Sequence, residues 1–245
     1  MGRSPALARR FFDRLEPVHA VTYFAAEPRA ALDALGYRGF WMGYFASRSA
    51  PLGIVPPTSR RHFYNFTLER VAKALPAVWD KASPATLLRL RSDSAVAALR
   101  RSGVSDSEDT RLAAELAQRR NRALDGRPLY AANRALPWPD EPIAKLWHAV
   151  TLLREQRGDA HIAVLVSEGI SGRECNVLHA AAGRVPREMI MRSRDYDEEQ
   201  WDRYVGQLRS RGWLDGGVSS PTPGATSNRR SRTAPMHLPW VRWRR

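Results

Sequence analysis

The sequence predicts a mainly α-helical fold, and three observations lead to that prediction. Apolar residues recur at spacings of three and four through most of residues 1–215, which is the pattern of amphipathic helices. Alternating apolar and polar residues are scarce, and the run 162–166 fits a strand and a buried helix equally well. The chain has 245 residues, of which 43% are hydrophobic, so it can bury the core of one large domain or of two small ones.

Local start and stop signals place the individual helices. A capping residue, or a proline at the first helical position, stabilises a helix N-terminus because it satisfies or removes free N–H groups. Such signals begin helices at Pro28, after Thr67, at Pro84, after Ser105 or Ser107, and at Pro142. Gly36 ends the first of them, since glycine readily adopts the conformation that terminates helices.

An internal repeat relates two parts of the chain at an offset of 130 residues. Gly39 corresponds to Gly169, and the segment 53–56 (GIVP) corresponds to 183–186 (GRVP). Further along, in the same register, Phe66, Val71 and Val78 fall opposite Tyr196, Trp201 and Leu208. The shared register favours two copies of one supersecondary unit over a chance similarity between helical segments.

The second copy has the order of elements of a helix-turn-helix. We expect a helix over 171–182, a short helix from Pro186 to Arg192, and a longer helix that Asp197 caps. The end of this longer helix, residues 208–215 (LRSRGWLD), is similar to the end of a MarR-type recognition helix before its wing. Gly212 is then the residue that turns the chain into the wing strand.

Six short motifs, spread over about residues 15–215, are shared with one known family. They are APLG at 50–53, FYNF at 63–66, ANRALPWP at 132–139, LWHA at 146–149, LLRE at 152–155 and HAA at 179–181. On these motifs the chain resembles an uncharacterised actinobacterial helix-turn-helix-like family. The resemblance implies tandem winged-helix-like units, the second of them MarR-like. The chain departs from the family after residue 215, where a segment rich in proline, serine and arginine replaces the family's turn and further helix.

The net charge of +14 is typical of nucleic-acid-binding proteins, but its location matters more than its size. Six arginines lie in residues 216–245, which contain no aspartate or glutamate. Residues 1–215 hold 33 basic and 25 acidic residues, a net charge of +8. Nearly half of the excess positive charge therefore lies in the C-terminal tail, residues 216–245. The tail has no apolar periodicity that would predict a helix or a strand.

Seven arginines of the second copy are our candidates for DNA contact, because guanidinium groups near a recognition helix can reach phosphates. They are Arg184, Arg187, Arg192, Arg194, Arg203, Arg209 and Arg211. The start of the longer helix is acidic instead, with Glu198, Glu199 and Asp202. These carboxylates stabilise the helix dipole but repel phosphates, so a winged helix that serves packing or dimerisation is the alternative.

Aromatic residues are concentrated in residues 19–66. At this density they usually form a core, and the alternative is a pocket for a planar apolar ligand, oriented by a few polar groups. The candidate pocket residues are His19, Tyr23, Trp41, Tyr44, Phe63, Tyr64, Asn65, Phe66, Trp138, Trp147 and His148. Within this set, His19, Tyr64 and Asn65 are the groups expected to orient the ligand.

No group of residues in the sequence predicts a reaction or a cofactor. Cys175 and His179 lie four residues apart, but a lone cysteine is more often a small buried hydrophobe than a nucleophile. His148 and His161 have no third ligand at a spacing typical of metal sites. We therefore predict no catalytic residues, no metal and no cofactor, and enzymatic activity is not favoured.

The predicted organisation has four parts. They are a first winged-helix-like unit (15–83), linking helices (84–158), a second winged-helix-like unit (159–215) and a disordered basic tail (216–245). The absence of long apolar runs and of a signal peptide, together with a single cysteine, predicts a cytoplasmic protein with no membrane partner.

The preferred function is a ligand-responsive, DNA-binding transcriptional regulator of winged-helix type. We expect it to be a homodimer whose partners are double-stranded DNA and a planar apolar small molecule. The alternative is a small-molecule-binding or enzymatic protein of metabolism that retains the helix-turn-helix architecture without binding DNA.

Overall fold

The computed structural model describes residues 4–54, 63–118 and 124–214, and within them every regular element is helical. The mainly α-helical prediction is therefore confirmed, while the two winged-helix units remain predictions. The predicted tail, and the position where a last wing would lie, fall outside the described residues. The α-helices are α1 Pro5–Phe24, α2 Ala26–Ala34, α3 Gly39–Ser49, α4 Leu68–Trp79, α5 Pro84–Arg101, α6 Glu108–Gln118, α7 Pro128–Arg134, α8 Pro142–Ser167, α9 Gly172–Ala181, α10 Arg187–Arg194 and α11 Glu198–Ser210.

Side-chain caps set several of the helix boundaries. The Ser83 side chain accepts a hydrogen bond from the Thr86 amide at the start of α5. Asp197 does the same for Gln200 at the start of α11. The predicted cap at Asp197 and the predicted helix start at Pro84 are thus confirmed. The run 162–166, which the sequence left open between strand and helix, lies inside α8.

The first of two compact units comprises Met1–Phe63 and Leu68–Ala163. Helix α5 packs against α1, α2 and α3, and α3 packs against α4. Apolar residues of α5 and α8 form part of its core, namely Ala95, Val96, Leu99, Ile143, Ala144 and Trp147. The predicted linking helices (84–158) lie within the range of this first unit, and the predicted four-part organisation stays a prediction.

The second unit comprises Tyr64–Thr67 and Val164–Arg245. Helix α9 packs against α10 and α11 around a buried core of Leu165, Ile170, Cys175, Val177, Leu178, Ile190, Tyr196, Trp201 and Leu208. The segment Tyr64–Thr67 lies against α9 so closely that a Cβ atom on Gly172 would stand 1.7 Å from the Tyr64 carbonyl oxygen. Glycine at position 172 is therefore a packing requirement of this unit.

The predicted 130-residue repeat has a counterpart in the helices. Helix α4 begins at residue 68 and α11 begins at residue 198. The helices that pack against them also correspond: α3 contacts α4, and α9, which lies about 130 residues after α3, contacts α11. The paired glycines all have positive φ angles, 76° and 62° at Gly39 and Gly169, and 74° and 63° at Gly53 and Gly183. Helix starts and backbone turns thus keep the register that the sequence indicates.

Candidate functional site

A chain of neighbouring rings runs through the first unit. The ring centroids of His19 and Tyr23 are 5.4 Å apart, those of Tyr23 and Tyr44 are 5.1 Å apart, and those of Tyr44 and Trp41 are 5.5 Å apart. The His19 ring is also parallel to that of Trp147. Eight of the predicted pocket residues belong to this unit, and the other three, Tyr64, Asn65 and Phe66, belong to the second unit.

A small cavity lies beside these rings. Its volume is about 20 Å³, and it is lined by Thr22, Tyr23, Arg29, Leu32, Phe40, Gly43, Tyr44 and Ser47. A cavity of this size holds a single water molecule. A planar ligand would therefore have to displace some of the lining side chains.

A buried ion pair joins α3 to α8 close to the same rings. The Arg48 guanidinium donates two hydrogen bonds to the Glu155 carboxylate, at 2.9 and 3.1 Å, and Arg154 donates a third at 2.7 Å. Burial alone would raise the pKa of Glu155, but the two guanidinium groups outweigh it and hold that pKa at about 2. Glu155 is consequently ionised and serves as the shared counter-ion of two arginines.

Arg91 of α5 is also buried, and its partners are neutral. It donates hydrogen bonds to the Asn133 side-chain oxygen at 2.7 Å and to the Ser47 carbonyl oxygen at 3.3 Å, and its guanidinium lies 5.3 Å from the Trp147 ring centroid. Among the described residues no carboxylate lies within ion-pair distance of it. Burial lowers the pKa of Arg91 to about 10. We call Arg48, Arg91, Arg154 and Glu155 the arginine cluster.

In the second unit, a short turn joins α10 to α11. The three residues between them are Asp195, Tyr196 and Asp197. Asp195 ends α10 in the left-handed conformation with φ of 54°, and Asp197 caps α11. Tyr196 points into the core, where its ring lies 5.2 Å from that of Trp201. The turn is therefore short and held at each of its residues.

Arg173 of α9 braces this turn from the side. Its guanidinium donates to the carbonyl oxygens of Arg194 and Asp195 and to the side-chain oxygen of Gln200. It also stacks on the Tyr196 ring, 3.3 Å from the centroid. The orientation of α11 on α9 thus depends on polar contacts as well as on the apolar core.

One face of α11 is buried and the opposite face is exposed. Trp201 and Leu208 lie in the core, which confirms the sequence prediction for these two residues. The exposed residues are Glu198, Glu199, Asp202, Arg203, Gly206, Gln207, Arg209 and Ser210. Charge is segregated along this exposed face, because the acidic side chains belong to its first half and the arginines lie further along.

The seven candidate DNA-contact arginines differ in their surroundings. Arg192, Arg203 and Arg209 are exposed. Arg187 forms an ion pair with Glu198. Arg211 donates to Glu174 at 3.0 Å and to the Glu168 carbonyl oxygen at 2.8 Å. Of the other two, the Arg194 guanidinium lies over the Phe66 ring, and Arg184 is half-buried.

Comparison with known proteins agrees with this geometry. The sequence profile of a helix-turn-helix family matches residues 8–232. The chain belongs to this helix-turn-helix family. No curated protein and no solved structure matches the chain. Within the described part of this helix-turn-helix protein, none of the helices is long and apolar enough to cross a membrane.

The cysteine and histidine of α9 are neutral groups in the core region of the second unit. The Cys175 sulfur lies 3.7 Å from Nε2 of His179. Burial raises the pKa of Cys175 to about 12. Burial, together with the charges of Arg184 and Arg194, lowers the pKa of His179 to about 4. Both shifts disfavour the thiolate–imidazolium pair that a nucleophilic cysteine needs.

The sequence does not predict the arginine cluster. Residues 154 and 155 belong to the shared motif LLRE, and no pattern distinguishes Arg48 or Arg91 from the other arginines. One signal is present, an Arg-Glu pair in the middle of a long helix directly after two leucines. Charges at such a position need partners from elsewhere in the fold.

Proposed function

We propose that the protein is a DNA-binding transcriptional regulator of winged-helix type and that α11 is its recognition helix. Family membership supports this function, and so does the pair α10 and α11 with its three-residue turn. The observation that carries the proposal is the exposed face of α11. A helix that is braced on its inner side and exposed on its outer side can enter a major groove without rearrangement.

The carboxylates at the start of this face and the arginines further along it would contact different parts of a DNA duplex. Arg203 and Arg209 lie six residues apart, about 9 Å along the helix, and Arg192 is exposed on α10. We propose that these three arginines contact phosphates. The carboxylates at the start of α11 cannot do so, but a carboxylate in the major groove accepts a hydrogen bond from the amino group of cytosine.

The test is fluorescence anisotropy on the promoter of the protein's own gene and on a random duplex. Each phosphate contact contributes about 0.9 to the slope of log affinity against log salt. Arg203→Ala and Arg209→Ala should each weaken binding and reduce that slope by about one. Arg89→Ala is the matched control, because it removes one exposed arginine from the first unit. Equal effects of Arg203→Ala and Arg89→Ala would refute the assignment of α11.

The tail requires its own control, because six arginines in 216–245 can bind any duplex at low salt. Titrations are therefore made with the full chain and with residues 1–216 at near-physiological salt. The shorter protein should prefer its promoter over random duplex by at least about a thousandfold. A preference that disappears with the tail would contradict the proposal.

Two finer features belong to the same proposal. The regulator responds to a planar small molecule held among the aromatic rings of the first unit, and it binds DNA as a homodimer, since two-fold symmetric regulators bind paired half-sites. Light scattering after size-exclusion chromatography measures the mass. Thermal stabilisation by planar metabolites measures ligand binding. A monomer that binds a full promoter site with high affinity would contradict the homodimer.

The acidic start of α11 favours a second candidate function. The protein would bind or transform a small molecule and retain the helix-turn-helix only as architecture. In that case the shorter protein shows no promoter preference, while a metabolite still stabilises the first unit. The two measurements above therefore separate the candidates.

A further inference from the structure

The first unit contains a buried positive charge for which the described residues supply no counter-ion. Arg91 is only 7% exposed, and both of its hydrogen-bond acceptors are neutral groups. The described part of this unit holds two buried carboxylates. Glu155 already accepts from Arg48 and Arg154, and Asp159 accepts from the backbone amide of Tyr130. A charge removed from water without a partner is strongly unfavourable, so its retention indicates a partner that binds from outside.

Buried polar atoms without partners surround the same place. Among the described residues these include Nε of Arg91, Nε1 of Trp147, Oγ1 of Thr22 and Nε2 of His19. The arginine and tryptophan atoms can only donate. A carboxylate ligand would find here the free N–H of the Arg91 cation itself, the indole N–H of Trp147 and the hydroxyl of Thr22.

The protonation state of His19 follows from its neighbours. The Thr151 hydroxyl donates to the Trp147 carbonyl oxygen at 2.8 Å. Its oxygen therefore accepts from Nδ1 of His19, 3.0 Å away, which leaves Nε2 of the neutral ring as a free acceptor. Burial, with the charge of Arg154 acting in the same direction, lowers the pKa of His19 well below its usual value. A ligand with a hydroxyl or amine hydrogen could donate to this nitrogen.

The cavity beside the aromatic rings lies next to these polar groups. Thr22 and Ser47 form part of its lining, and Ser47 accepts from Arg91. Tyr23, Phe40 and Tyr44 supply apolar ring faces in the same lining and are only partly buried. Movement of these rings would enlarge the cavity from its present volume, which suits a single water molecule.

We propose that the first unit binds a small aromatic carboxylate, with its carboxylate at Arg91 and Trp147 and its ring against Tyr23, Phe40 and Tyr44. This inference deepens the ligand-binding part of the proposed function and names the chemical class of the ligand. It does not depend on DNA binding. Its tests contain no DNA, so their failure would leave the assignment of α11 untouched.

The test is a titration of the full chain with benzoate, followed by thermal unfolding and by calorimetry. Benzyl alcohol is the neutral analogue, and acetate is the carboxylate without a ring. Benzoate should raise the melting temperature in a saturable way, and both analogues should have little effect. No stabilisation at millimolar benzoate, or equal stabilisation by benzyl alcohol, would overturn the proposal.

Variants locate the site. Arg91→Met removes the charge and keeps most of the side-chain volume, and it should weaken benzoate binding at least about tenfold because a charge-assisted pair is lost. Arg89→Met, two residues earlier on the exposed side of α5, is the control and should bind benzoate like the wild type. Unchanged affinity in Arg91→Met would overturn the proposal.

A second variant keeps the proposal testable if Arg91→Met does not fold. Trp147→Phe retains an aromatic ring and removes the Nε1 donor, so it should also weaken benzoate binding. Unchanged affinity in Trp147→Phe would contradict the role of the indole. Arg91→Met also removes the donors to Asn133 and to the Ser47 carbonyl oxygen, so its ligand-free melting temperature should fall whether or not Arg91 binds a ligand. Benzoate affinity measured by calorimetry on the folded protein, rather than the melting temperature, therefore decides between a ligand-binding arginine and a structural one.

Discussion

Replacement of Glu155 by glutamine should destabilise the protein more than a typical substitution. The carboxylate accepts three hydrogen bonds from Arg48 and Arg154. The glutamine would leave the buried Arg48 guanidinium without its counter-ion, while Arg154 keeps Glu16 at 3.6 Å. Removal of one partner from a buried pair costs about 3–5 kcal/mol. The pKa gives the same magnitude, since a fall from 4.5 to about 2 corresponds to on the order of 3 kcal/mol at neutral pH.

The assay is urea unfolding at pH 7, followed by tryptophan fluorescence, for wild type and Glu155→Gln. Asp106→Asn is the matched control, because Asp106 accepts two hydrogen bonds of 2.8 Å from Arg111 in an exposed pair, and it should leave stability unchanged. The folded-state pKa of Glu155 is depressed, so its contribution is present above pH 4.5 and is lost as the pH falls towards 2. A Glu155→Gln protein as stable as the Asp106→Asn protein would refute the reasoning.

Three further predictions concern both units. Trp201→Ala should lose about 3–5 kcal/mol of stability, since the side chain is buried, and an unchanged urea midpoint would contradict its place in the core. Gly172→Ala should destabilise the second unit because of the 1.7 Å approach to Tyr64, whereas Gly206→Ala, with open space around it, should stabilise α11 by about 1 kcal/mol; circular dichroism melts distinguish the two signs. Burial, with nearby arginines, lowers the pKa of His148 to about 4, so stability should fall as the pH drops from 6.5 towards 4. His148→Phe should reduce that dependence in urea titrations at several pH values, while His19 and His179, whose pKa values burial also lowers, still contribute to it.

Local signals account for the parts of the fold that the sequence predicts. Ser83 and Asp197 cap their helices through amides three residues away, so the chemistry of the cap lies within one helical turn of sequence. Trp201 and Leu208 are seven residues apart, two turns of α11, and both face the core. A periodicity of this kind is visible without any knowledge of the rest of the chain.

Long-range contacts account for what the sequence does not predict. Arg48 and Glu155 are separated by 107 residues, and Arg91 and Asn133 by 42. Neither residue pattern nor spacing pairs such groups, because the partner of a buried charge depends on how helices pack. The same holds for the aromatic residues, since Phe63 and Tyr64 are adjacent in sequence but belong to different units.

The arginines of this chain have different structural roles, and the composition alone does not show which arginine has which role. Arg48 and Arg91 are buried in the first unit and the Arg154 side chain is only 20% exposed, so their charge reaches solvent weakly. Arg173 is committed to the turn before α11. A net charge of +14 therefore overstates the field that DNA would meet at the second unit. Sequence-specific binding must then depend on a few exposed arginines and on the shape of α11, because non-specific attraction grows with every accessible charge while discrimination between sites does not.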